Sequence, residues 1–238
     1  MFFIPRVTIQ KSVGRRCSSL YSAENIFSDE NIKRTIAKFT TLKPIRLHTQ
    51  QPPKKAAVLI PLCEVNNKVS LLYTLRAAHL KSHRGQVSFP GGMQDVTDKS
   101  LEQTAIRETK EELGIDTSDI EIWGSGHLIV TKGETSVLPV IGRIKRKIIP
   151  DKLNINRSEV EEVFTVPVED LCDPSKIGHT QFKGSYSVPV FLGGKKRIWG
   201  LTALMTNMCL SSLLPQKAYS HRITYITPIK SNNNCKTY

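Results

Sequence analysis

Apolar side chains along this chain recur at two periods, and the switches between them outline its elements. Runs at residues 56–62, 69–75, 86–89, 126–130, 136–144, 163–168 and 188–191 are rich in Val, Ile, Leu and Phe. They are short and bounded by turn-forming or charged residues, so they read as strands. Helical spacing appears in three other stretches. From Ser28 to about Thr41, the residues Ile32, Ile36 and Phe39 make an apolar stripe. Ser28 predicts its N-cap, Asp29 and Glu30 suit its first turn, and Phe27 is placed to staple onto Ile32. A second helix carries Arg107, Glu108, Glu111 and Glu112, sets Ile106 and Leu113 roughly opposite, and stops at Gly114. A third covers about 202–214. Strands interleaved with two core helices predict an α/β fold, a mixed sheet covered on both faces.

With 238 residues, 39% of them apolar, the chain can build one domain with a core and carry extensions. Pro44, Pro52 and Pro53 mark a linker after the first helix. Segments 1–22, 23–54, 55–228 and 229–238 are therefore expected to differ in role: a leader, a helix with its linker, the main domain, and a polar, Asn-rich, disordered tail. No apolar run reaches the roughly 18 residues of a membrane span. The nearest, 201–214, is interrupted by Thr202, Asn207, Ser211 and Ser212 and reads as a buried helix, so no membrane partner is expected. Five cysteines without a Cys-x-x-Cys pair argue against a disulfide framework or zinc site, and for reduced thiols inside a cell.

The net charge of +13 sits mainly in the flanks. Residues 1–22 hold four basic side chains (Arg6, Lys11, Arg15, Arg16) and no acid, and residues 201–238 likewise four and none. Residues 56–200 are almost balanced, with 19 basic and 18 acidic side chains. Such a distribution favours targeting and solvated ends over a nucleic-acid surface. The leader is basic, hydroxyl-bearing and acid-free, the composition of a mitochondrial transit peptide. The chain ends Cys-Lys-Thr-Tyr, which is not the peroxisomal Ser-Lys-Leu address.

Glu108, Glu111 and Glu112 would project from one helix face within an arc of about 100°. Like charges crowded this way repel, and a divalent cation relieves them. A solvated face with Lys110 as counter-charge is the plainer alternative. Order and spacing decide between the two: a glycine pair (Gly91, Gly92), then Arg107-Glu108, then Glu111-Glu112, then Gly114-Ile115.

That order resembles the box of the Nudix hydrolases, Gly, five residues, Glu, seven residues, then Arg-Glu-apolar-any-Glu-Glu-any-Gly-apolar. Two departures stand out. Thr109 takes a slot that is usually apolar, and the first half is one residue longer than the strict pattern. Counting back from Arg107 puts Lys99 in the first Glu slot; counting forward from Gly92 puts Asp98 there. Upstream, Thr74, Arg76, Leu80, His83, Gly85, Gln86 and the Phe89-Pro90-Gly91-Gly92 run are similar to the extra signature of the coenzyme A diphosphatase subgroup, in which the longer box is typical. Ser158 to Phe164, Val188 to Phe191 and Ile198 to Ala203 look like the same subgroup, with its mitochondrial member nearest in pattern.

The resemblance implies a Nudix α/β/α sandwich over residues 55–228 and hydrolysis of a phosphoanhydride with Mg²⁺ or Mn²⁺. It implies Glu108, Glu112 and Glu111 as metal ligands and Arg107 as a brace within the catalytic group. Gly91 and Gly92 would bring backbone amides to phosphate or shape the metal loop. Arg76, Lys81, His83 and Arg84 are the candidate cations for coenzyme A, whose 3′-phosphate adds to its diphosphate. The implied substrates are coenzyme A and acyl-coenzyme A, giving 3′,5′-ADP and 4′-phosphopantetheine or its acyl form in the mitochondrion. Other nucleoside diphosphate derivatives, coenzyme A-capped RNA, or a binding role without catalysis are the alternatives.

Overall fold

The computed structural model describes residues 20–221 apart from 51, 81, 132–134 and 183–185. Residues 1–19 of the expected leader, the tail, and Lys81 lie outside the described residues. After a short turn of helix, α1 (Ala23–Ile26), comes α2 (Asp29–Thr40), capped by the Ser28 hydroxyl accepting from Asn31 N at 3.3 Å. Then follow β1 (Lys54–Val65), β2 (Lys68–Arg76), β3 (Val87–Ser88), β4 (Gly91–Met93), α3 (Leu101–Leu113), β5 (Ile120–Ser125), β6 (Ile129–Val130), β7 (Thr135–Ile144) and β8 (Val160–Pro167). A short helix α4 (Val168–Leu171), the hairpin strands β9 (Ile177–Phe182) and β10 (Tyr186–Phe191), and α5 (Gly200–Leu213) complete the chain.

One mixed sheet organises these elements in the order β3-β2-β1-β7-β5, with β4 also on β1, β6 on β7 and β8 on β2. β1 and β7 run parallel, and the other pairs are antiparallel. Both faces of β1 are buried, and alternation splits its side chains between two cores. Ala57, Leu59 and Cys63 join Ala105 and Leu113 of α3 and Ile115 on one side. Ile60 and Leu62 join Phe39 of α2 and Met205, Met208 and Leu210 of α5 on the other. The fold is the expected mixed sheet between helical layers, and α2 belongs to its packing.

Several elements differ from expectation for local reasons. β5 and β9 were not foreseen: β5 is bulged between Ile122 and Gly124, which breaks its alternation, and the sequence of β9, Ile-Gly-His-Thr-Gln-Phe, is largely polar. The stretch 126–130 holds only the two-residue β6, and β8 starts at Val160, earlier than 163. In α2 the buried positions are Asn31, Thr35 and Phe39, with Ile32 and Ile36 only partly covered. The two polar groups are hydrogen-bonded, Asn31 Nδ2 to Ile26 O at 2.9 Å and Thr35 Oγ1 to Asn31 O at 2.7 Å, so their burial leaves no lone polar atom.

Candidate active site

Helix α3 presents the carboxylates. It starts at Ser100, whose hydroxyl accepts from Gln103 N at 3.2 Å, and stops at Gly114, which takes the left-handed conformation (φ 63°) that favours glycine. Glu108 and Glu112 lie one turn apart on this helix, and Glu159 arrives from the turn before β8. One oxygen from each of the three lies within 4.8 Å of the others. Glu111 is outside that group: its exposed carboxylate accepts from Arg107 Nη1 at 2.9 Å. Sequence reasoning therefore missed Glu159. Its signal was faint, an acid within the Ser158-to-Phe164 run that carried the subgroup resemblance but had no spacing to tie it to α3.

Electrostatic cost is concentrated on Glu112, whose side chain is only 3% exposed. Burial pushes its pKa up to about 8, while Arg76 Nη1 at 3.9 Å, and an amide hydrogen bond from Gly91 N at 3.4 Å, pull the other way. Glu108 is also shifted upward by burial, against the pull of Arg107. Neighbouring carboxylates add to both shifts, Glu108 on Glu112 and Glu159 on each. Crowded oxygens that resist ionisation while metal-free are the donor set a hard divalent cation wants, with no sulfur or imidazole among them.

The glycine pair allows this crowding. Gly91 sits at φ 149°, and a Cβ there would collide with the backbone of Ala57 and Val58. A Cβ on Gly92 would come within 2.5 Å of the Glu108 carboxylate. Both glycines also line a cavity of about 400 Å³. Arg76 and His83 line it too, His83 in a left-handed conformation with its Nδ1 3.0 Å from Gln86 Oε1. Arg84 is exposed and is not part of this lining. The rest of the lining is largely apolar, with Val58 and Val137 of the sheet and Trp199, Leu201 and Met205 around the start of α5.

A model of the NUDIX domain matches residues 53–185. The chain belongs to the Nudix family. The human protein named mitochondrial coenzyme A diphosphatase NUDT8 is 41% identical over 180 residues, covering 74% of this chain and 75% of its own. Nudix hydrolase 3 of Caenorhabditis elegans is 32% identical over 235 residues, covering 90% and 95%. Among solved structures, the Nudix hydrolase RenU of M. smegmatis matches with a TM-score of 0.42 at 19% identity, over 52% of this chain and 76% of that one.

Nudix hydrolases generally use divalent metals, and the Glu108, Glu112 and Glu159 oxygens fit that need. Both departures from the Nudix box have a structural account. Asp98 takes the first acidic slot: Arg107 grips it through Nε to Oδ1 at 3.0 Å and Nη2 to Oδ2 at 2.9 Å. Thr104 Oγ1 and Asp95 N, each at 2.9 Å, also donate to Asp98. This clamp holds the Asp98 carboxyl well below the usual carboxylate range. The same guanidinium reaches Met93 O at 3.1 Å and Glu108 Oε1 at 3.0 Å, so Arg107 ties the loop to the helix. Thr109, in the apolar slot, is fully buried and donates to Ala105 O at 2.6 Å, which satisfies its hydroxyl within the helix.

Proposed function

We propose that this Nudix protein hydrolyses the diphosphate of coenzyme A and acyl-coenzyme A, giving 3′,5′-ADP and 4′-phosphopantetheine or its acyl derivative, in the mitochondrion. The reading is carried by the 41% identity to a human protein named as a mitochondrial coenzyme A diphosphatase. Its mouse counterpart, 40% identical over 168 residues, has the same name. The acid-free, basic residues 1–22 agree with that compartment.

Glu108, Glu112 and Glu159 would hold Mg²⁺ or Mn²⁺, which when bound neutralises diphosphate charge and makes water a better nucleophile. The remaining chemistry belongs to the chain. Water adds to one phosphorus, the bridging P–O bond breaks, and the second phosphate departs. Arg107 keeps Glu108 oriented while it holds Asp98 and Met93 O, so the carboxylates do not need to reorganise. Gly91 and Gly92 allow the substrate's phosphates to approach the backbone beside those carboxylates. Arg76 and His83 supply donors on the cavity side, where they orient the diphosphate. The apolar wall excludes bulk water from the reacting end.

A substrate panel tests this reading. With cation present, coenzyme A should be cleaved at a higher kcat/KM than ADP-ribose or a dinucleoside polyphosphate. Cleavage of those compounds while coenzyme A stays intact would keep the Nudix chemistry and remove the substrate assignment.

A further inference from the structure

The cavity lining combines two chemistries. Gly91 and Gly92 back onto the carboxylates, and Arg76 brings positive charge. Directly against the glycines, Val58 of β1 pairs with Gly91, and Ala56 on the same sheet face pairs in register with Val137 of β7. Leu201 and Met205, one helical turn apart on α5, close over this strip beside Trp199.

The polar side chains of the lining are largely engaged within the protein. Thr202 Oγ1 donates to Val87 O at 2.9 Å, Ser88 Oγ shares a hydrogen bond with Thr74 Oγ1 at 2.8 Å, and Gln86 Oε1 meets His83 at 3.0 Å. Among the described residues, Arg76 is the one Lys or Arg side chain in the lining.

We propose that this apolar recess seats the pantetheine arm of the substrate, with any acyl group on its sulfur, and that Trp199 and Leu201 determine specificity there. The proposal rests on the coenzyme A reading of the site. Two halves flank the diphosphate of coenzyme A, and they make opposite demands. The adenosine half carries a 3′-phosphate, which would lose its hydration against Val137, Leu201 and Met205 while Arg76 is engaged by the diphosphate. The pantetheine half is uncharged: its gem-dimethyl group and methylenes gain by burial, while its hydroxyl and two amides keep hydrogen bonds to water or backbone at a smaller cost than burying a phosphate. A volume of about 400 Å³ lies toward the small end of ligand sites and suits one half of the molecule. The bisphosphorylated adenosine then lies outside the recess.

Inhibition by the two products separates the halves, because each product carries one half of the substrate. The protein is first assayed for cleavage of coenzyme A with Mg²⁺. The variants Trp199→Ala and Leu201→Gln are then compared with the parent for inhibition by 4′-phosphopantetheine and by 3′,5′-ADP. The expected result is about a tenfold weaker inhibition by 4′-phosphopantetheine, with 3′,5′-ADP within about twofold of the parent. Unchanged 3′,5′-ADP binding also shows that the variants are folded. The preference for hexanoyl-coenzyme A over coenzyme A should fall in parallel. Weaker inhibition by 3′,5′-ADP instead, which would put adenine on Trp199, overturns the proposal, as does an equal loss for both products or no loss for either. A parent protein that leaves coenzyme A intact removes the substrate reading itself, a result distinct from cleavage followed by an unexpected inhibition pattern.

Discussion

Glu112 combines near-complete burial with two opposing attractions that are too weak to hold it ionised without a cation. Glu112→Gln should therefore lower kcat by about 10³-fold. It should not lower the metal-free thermal midpoint at about pH 8, because it removes a buried charge and keeps the shape. Normal turnover in that variant would contradict the metal-site assignment. Glu159→Gln should cost at least about tenfold in kcat/KM, and more than Glu111→Gln, since Glu111 lies outside the three-oxygen group. A steady-state comparison of the two variants checks the order. The helical period makes Glu108, Glu111 and Glu112 legible as one patch. It cannot show that Arg107 draws Glu111 aside, or that Glu159 fills the gap. Glu159 is delivered by the pairing of β8 with β2, a long-range contact that leaves no periodic trace in the chain.

At the scale of elements, the strand-turn-helix unit from β4 to α3 is the part of the site most plainly written in the sequence. Its glycines, its Arg-Glu and Glu-Glu pairs and its Gly114 stop all fall within the single stretch 91–114. Strand β4 itself was not legible, because a three-residue strand containing two glycines has no hydrophobic pattern. The two glycines should respond differently to the same change. Gly91→Ala meets the backbone of Ala57 and Val58 in a conformation that L side chains rarely adopt, and should lower stability by about 2 kcal/mol or more. Gly92→Ala meets the movable end of Glu108, so the protein should remain folded while activity falls. Thermal melts set beside kcat/KM for both variants check this; an active Gly92→Ala protein would mean that the Glu108 position is not needed. The N-terminal helix α2 shows the opposite kind of legibility. Its cap and length follow from Ser28 and the stripe, yet its most buried face turns toward Asn31 and Thr35, because their hydrogen bonds are completed inside the fold.

For the molecule as a whole, the upward shift of Glu112 links pH, cation binding and stability. The folded carboxyl holds its proton to about pH 8, against an ordinary value of 4.5. Between those limits the folded state binds a proton that the unfolded state has released, so raising pH lowers the stability of the metal-free protein. A cation requires the ionised carboxylate, so its stabilising effect grows over the same window. Thermal midpoints in chelator should fall from about pH 6 to about pH 8. Added Mg²⁺ should restore more at the higher pH, and Glu112→Gln should lose both effects. Midpoints that are equal at both pH values for parent and variant would contradict this linkage. The broad architecture, with sheet, covering helices and metal-facing helix, follows from local pattern and box resemblance. The cavity does not, because β1, β7 and α5 meet only through the tertiary fold.

The most direct measurement of the central claim is the appearance of 3′,5′-ADP, resolved by chromatography, when the protein is incubated with coenzyme A. The expected result is release with Mg²⁺ or Mn²⁺, loss of release in chelator, and about 10³-fold less in Glu112→Gln. Release that survives chelation and the Glu112→Gln change would contradict the carboxylate mechanism, and intact coenzyme A under every condition would contradict the assigned reaction.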